Sequence, residues 1–160
     1  MKKELTIAID SYVDSGALRP EDAELLDLAR KSTADAYAPY SRFRVAAAVR
    51  LANGKTLSGT NQENASYPAG ICAERVVLSA ASAVYPGVAV SALAVSYFHD
   101  GGAHSRPVSP CGICRQTLTE YELRSGKPIR IILSGYAGEV LILRSATDLL
   151  PLAFTSAGLR

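Results

Sequence analysis

The chain has 160 residues, 48% hydrophobic and 20% charged, with 17 Lys+Arg against 15 Asp+Glu for a formal charge of +2. That length predicts one domain, residues 1–160, with a true core, and charge this balanced and dispersed argues against a nucleic-acid partner or a disordered charged tail. No apolar run approaches the roughly 20 residues of a bilayer span, so no membrane partner is expected, and an odd count of three cysteines fits metal or catalytic thiols in the cytoplasm better than disulfides.

Taken along the chain, residues 1–19 form an extension in which Leu5 to Val13 alternate in a strand-like way, an edge-strand candidate. Pro20-Glu21-Asp22 then starts a helix, with Leu25, Leu28, Ala29 and Ala36 at helical spacing and an end near Tyr37. Phe43 to Leu51 and Lys55 to Thr60 flank an Asn53-Gly54 turn, so an antiparallel hairpin is expected. A helix from near Ile71 to Pro86-Gly87 leads into a strand, Val88 to Phe98. After the loop Asp100 to Ser105, Pro110 stands in the first turn of another helix, and strands Ile129 to Leu133 and Val140 to Leu143 follow. Helices alternating with strands predict an α/β domain with a mixed sheet of about five strands and helices on its faces.

The chemistry collects at two predicted helix starts, Cys72-Ala73-Glu74 and Pro110-Cys111-Gly112-Ile113-Cys114. Helix dipoles and free backbone N–H groups there favour thiolates, the form that binds metal. A Cys-x-x-Cys pair chelates one zinc from a single turn, and Cys72 adds a third sulfur at about 2.3 Å, leaving one tetrahedral position open as a catalytic zinc requires. Two other readings stand beside this one. Cys111 and Cys114 alone suit a thiol redox pair, and His104 offers a fourth ligand for a non-catalytic, structural Cys₃His zinc site.

The order Cys-x-Glu, then Pro-Cys-x-x-Cys beginning 36 residues after the glutamate, matches the signature of zinc nucleobase deaminases. With Asn61-Gln62-Glu63-Asn64-Ala65-Ser66-Tyr67, Cys72-Ala73-Glu74-Arg75, Pro110-Cys111-Gly112-Ile113-Cys114-Arg115-Gln116 and Leu149-Leu150-Pro151-Leu152-Ala153-Phe154, the chain resembles the small homotetrameric cytidine deaminases from about Leu25 to Phe154. The resemblance implies a three-layer α/β/α fold and hydrolytic deamination of cytidine and deoxycytidine to the uridines, with ammonia released, as in pyrimidine salvage. One Zn²⁺ per chain would sit on Cys72, Cys111 and Cys114. Glu74 would move protons between water, the base and the leaving amine, while Arg75 would offset the charge of three thiolates.

The resemblance further assigns Asn61 and Glu63 to the sugar hydroxyls, the Ala65 backbone to the cytosine amide edge, and Phe43 to the base. Tyr67 and Phe154 would be lent to a neighbouring subunit's pocket in a homotetramer. Enzymes of this chemistry that act on nucleic acid or on deoxycytidylate typically carry His where this chain has Cys72, which favours a nucleoside; another aminopyrimidine or aminated nucleoside is the alternative substrate. Taken alone, Glu74 suits a helix dipole, Phe43, Tyr67 and Phe154 suit a core, and Asn61 suits a turn. His99 and His104 read as solvated loop residues, and Arg115 carries no assigned role.

Overall fold

The computed structural model describes residues 1–159. One sheet of six strands, in the order β1-β6-β5-β4-β2-β3, runs through the molecule. Its strands are β1 (Asp10–Tyr12), β2 (Phe43–Leu51), β3 (Thr56–Thr60), β4 (Val90–His99), β5 (Arg130–Ser134) and β6 (Val140–Leu143). Only β4 and β5 run parallel, and every other pairing is antiparallel. The sheet is thus mixed, with one strand more than the count of about five.

The period-2 alternation of the strands divides the core in two. Ala47, Val49, Leu51, Leu93, Val95, Ile131 and Leu133 face α2 (Ala73–Val84) and α3 (Gly112–Ser125) through Val77, Leu78, Ala81 and Leu118. Ala48, Ala92, Ala94, Ile132, Val140 and Ile142 face α1 (Pro20–Ser32) through Leu25, Leu26 and Ala29. Three layers, α/β/α, result. Burial of each large side chain such as Leu26 or Leu78 contributes roughly 1.5–3 kcal/mol.

Local chemistry sets the ends of these elements. Pro20 opens α1, and Glu21 and Asp22 occupy its first turn, as the helix dipole favours. Gly54 takes φ +81 in the hairpin turn, where a side chain would be strained. Gly59 on β3 serves packing: a Cβ there would lie 2.8 Å from the Val77 backbone nitrogen, so its absence lets α2 lie close against the sheet edge.

Two buried carboxylates tie layers together. Asp22 meets Arg19 and, on the sheet below α1, Arg130 of β5 at 2.9 Å. Glu122, near the end of α3, accepts from the backbone N–H of Ile129 at 2.8 Å and of Ala146 at 2.7 Å, and from the hydroxyls of Ser145 and Thr147. Those bonds satisfy an otherwise costly buried charge and fix α3 to the chain on either side of β5 and β6.

Three expectations shift. The extension forms a strand only at Asp10–Tyr12, paired with Ile142, Leu141 and Val140 of β6; residues 1–9 run on exposed. The first helix stops at Ser32, a 3₁₀ turn covers Thr33–Asp35, and so the chain leaves the helix before Tyr37. Pro110 lies ahead of its helix, since Cys111 holds the capping position with extended dihedrals.

Candidate active site

The two motif-bearing helices, α2 and α3, lie on the same side of the sheet and touch each other. Cys72 caps the N-terminus of α2, Cys111 caps the N-terminus of α3, and Cys114 follows within the first turn of α3. Neither capping side chain is spent on its own helix. The sulfurs therefore converge in front of two positive helix ends: Cys72 and Cys111 stand 3.7 Å apart, Cys111 and Cys114 3.6 Å. All three lie within 4.8 Å of one another, the one such His/Cys/Asp/Glu group among the described residues that can hold a metal ion.

Electrostatics follows from that crowding. Thiol donation from Cys114, then from Cys111, with the charge of Arg75 adding to it, brings Cys72 down to about 6 against the opposing effect of burial. Cys114, wholly buried, is pushed the other way by its bond to Cys72 and by desolvation. One proton is thus readily lost from the trio, and a divalent cation is the natural partner for the rest. Glu74 sits in the first turn of α2 with 4% of its surface exposed. Burial raises its pKa, offset in part by its own backbone N–H and the Cys114 thiol. A carboxyl whose pKa is raised in this way holds a proton more readily than a solvated one, as a proton shuttle requires.

Cys72 is also one wall of a cleft of about 480 Å³ lined by Tyr40, Ser41, Asn61, Gln62, Glu63, Asn64, Tyr67, Gly70 and Ile71. Three of the residues expected to touch a substrate, Asn61, Glu63 and Tyr67, stand in this wall; Phe43, Ala65 and Phe154 do not. Asn61 also has an internal task that its sequence context did not reveal. Its Oδ1 accepts from the Val45 N–H at 2.8 Å and its Nδ2 donates to the Phe43 carbonyl at 2.9 Å, clamping the start of β2. Glu63 accepts from the N–H groups of Tyr40 (2.9 Å) and Ser41 (3.2 Å) and from the Ser41 hydroxyl. The hydroxyl contributes most to holding its pKa below 4.5.

Tyr40 and Ser41 were missed from the sequence. The available signal was the Pro39-Tyr40-Ser41-Arg42 run, turn chemistry leading directly into Phe43. Arg42 takes φ +57 there, an uncommon conformation for a side-chain-bearing residue. Phe43 itself stacks on Tyr97 with ring centroids 4.8 Å apart. Phe154 is 68% exposed, and Tyr67 is likewise exposed and edge-on to Tyr40. His104 packs on Phe98 and Tyr136, away from the sulfurs. Arg115, given no role above, donates from Nε to the Pro110 carbonyl at 2.8 Å and from its terminal nitrogen to the Leu149 carbonyl at 3.0 Å. It thereby braces the chain just ahead of Cys111.

Sheet order, paired helix ends and the adjoining buried carboxyl define an α/β/α enzyme built around a tricysteine centre. The family model described as cytidine and deoxycytidylate deaminase zinc-binding region matches residues 19–126, and the chain belongs to that family. A cytidine deaminase of Halalkalibacterium halodurans is 37% identical over 121 residues, covering 76% of this chain and 84% of that protein. One from Mycobacterium tuberculosis is 39% identical over 105 residues, covering 64% and 74%. The crystal structure of cytidine deaminase from Burkholderia pseudomallei superposes with a TM-score of 0.72 at 38% identity, covering 86% of this chain and 100% of that one. No helix among the described residues is long and apolar enough to cross a membrane.

Proposed function

We propose that this enzyme hydrolyses cytidine and deoxycytidine to uridine and deoxyuridine, releasing ammonia, in pyrimidine salvage, and that residues 1–160 act as one catalytic unit. The observation that carries the reading is the buried Glu74 carboxyl on the same helix end as Cys72, where the three thiols converge. One Zn²⁺ on Cys72, Cys111 and Cys114 fits the donor set: three sulfurs at two helix N-termini, a soft arrangement that favours zinc. Zinc supplies Lewis acidity, lowering the pKa of a water toward about 7.

Glu74, its pKa raised by burial, would accept a proton from the attacking water and deliver it to N3 of the cytosine ring, which makes C4 electrophilic. Once the water oxygen has bonded to C4, Glu74 takes the remaining hydroxyl proton and passes it to the amino group, so that the C4–N bond breaks, ammonia leaves and the C4 carbonyl forms, a proton shuttle that typically contributes 10²–10⁴-fold. Arg75 supplies positive charge to Cys72 and offsets the surplus negative charge of three thiolates. Asn61 and Glu63, in the cleft wall, bind the sugar hydroxyls; the Ala65 backbone takes the amide edge of the base, and Phe43 its face.

Tyr67 and Phe154 extend from the surface, as side chains that complete a neighbouring copy's cleft in a homotetramer would. Sequestering the sugar and base in a small cleft favours a free nucleoside, held in a soluble cytoplasmic enzyme.

The test is ultraviolet-monitored turnover of both nucleosides by zinc-assayed protein, beside Glu74→Gln. The expected result is turnover by the wild type, and a loss of at least about 10²-fold in a variant that retains its zinc. Absence of turnover by fully loaded wild type defeats the cytidine assignment and directs attention to other aminopyrimidines.

A further inference from the structure

Residues 1–18 precede the region that the family model matches, and their physical character is unlike that of a polar tail. Leu5, Ile7 and Ile9 are 70%, 37% and 51% exposed. They alternate with Thr6 and Ala8, so that in extended pairing all three would project from one face of the segment. That segment continues β1, whose one hydrogen-bonding edge meets β6 and whose other edge is free at the end of the sheet. Extended at about 3.3 Å per residue, the nine residues ahead of β1 span roughly 30 Å. The register Asp10↔Ile142 to Tyr12↔Val140 already takes up β6 through Ile142, leaving Leu143 and the turn beyond it too short to pair such an arm. Natural edge strands blunt such a surface with proline, bulges or inward charges. Residues 5–9 contain none of these.

We infer that residues 4–12 form an intermolecular arm, and that its occupant is the same arm of a second copy, paired antiparallel about a two-fold axis centred on Ala8. A two-fold contact must be self-complementary, and this one is. Directly opposite residues in an antiparallel pair share a face, so a register centred on a residue keeps the apolar stripe together, whereas one centred between residues sets it against the polar face. Centring on Ile7 sets Glu4 against Asp10 twice, a like-charge clash. Centring on Thr6 sets Lys3 against Ile9 twice and leaves Tyr12 of β1 without a partner. Centring on Ala8 sets Ile7 against Ile9 twice and lays residues 4–6 along Asp10–Tyr12, so that every residue of β1 finds a partner on its free edge. Two six-stranded sheets then run into one another without an exposed edge at the junction.

The test uses full-length, zinc-loaded protein carrying Ala8→Cys, with Glu4→Cys and Thr6→Cys as comparison variants, under a mild oxidant at micromolar concentration. Residue 8 meets its own copy across the axis, whereas the two copies of residue 4 lie about 25 Å apart. The expected result is an interchain disulfide in Ala8→Cys at least tenfold more abundant than in Glu4→Cys or Thr6→Cys, and lost when Ile7→Asp is added. Equal cross-linking at all three positions, preferred cross-linking at Thr6→Cys, or no cross-link in Ala8→Cys protein that keeps wild-type circular dichroism overturns the inference. Survival of the Ala8→Cys cross-link in the Ile7→Asp background overturns it as well.

Discussion

Gln116 donates its side-chain amide to the carbonyl of Phe154 across 2.8 Å, so the helix that carries Cys114 also holds the segment that presents the Phe154 ring. Leu152, two residues earlier, takes φ +60, and the bond to Gln116 helps to hold that uncommon turn. Gln116→Met keeps helix propensity and bulk but removes the donor. Loss of one hydrogen bond of about 1 kcal/mol predicts a KM for cytidine raised roughly fivefold, with kcat and zinc content unchanged. Steady-state kinetics with a parallel metal assay checks it; an equal fall in kcat with unchanged KM would count against the link to Phe154.

Glu63 gives the cleft a pH signature. Its pKa lies below 4.5, chiefly because of the Ser41 hydroxyl, so its folded value is below its unfolded one. The interactions that favour the carboxylate are present above the unfolded pKa and are lost as pH falls through the lower folded value. Weakening of binding through protonation of Glu63 therefore sets in at lower pH than an unperturbed carboxylate would give. In Ser41→Ala the onset of weaker binding moves upward in pH, as measured by KM against pH for the two proteins.

The thiol trio predicts an order of reactivity. With Cys72 held at about 6 by its thiol neighbours and Arg75 and Cys114 displaced upward, chelated, metal-free protein at pH 7 is alkylated first at Cys72, since the thiolate is the nucleophile. Peptide mass mapping after brief iodoacetamide treatment should find Cys72 modified several-fold ahead of Cys114. Reloading zinc should suppress both.

Close approach between α2 and β3 depends on Gly59. The Cβ of Gly59→Ala would stand 2.8 Å from the Val77 nitrogen and 3.0 Å from a Val76 methyl, and backbone cannot step aside as a flexible side chain can. Overpacking of this kind typically costs about 1–3 kcal/mol. A lower denaturation midpoint in urea is expected, together with weaker zinc retention, because the displaced helix carries Cys72 and Glu74.

Much of this protein was legible in one dimension because the signals are local. Phe43 to Leu51 and Val140 to Leu143 carry strand patterning that the folded chain keeps to the residue, and Asn53-Gly54 dictates its turn through backbone sterics. The spacing of Cys72, Glu74, Cys111 and Cys114 carries the site because each pair lies within a turn of one helix, where distance along the chain fixes distance in space. What only the folded chain decided is non-local. The meeting of Cys72 with Cys111 depends on α2 and α3 packing on the same face of the sheet. The diversion of Asn61 to the backbone of β2, the bond from Ser41 to Glu63, and the braces from Arg115 and Gln116 to the C-terminal segment join residues 16 to 38 positions apart. The short reach of β1, three residues paired with β6, does not follow from the alternation of residues 5–13. Periodicity records which face of an element seeks burial, but the partner that supplies the burial is chosen by packing of the whole chain, and that information lies in no single segment.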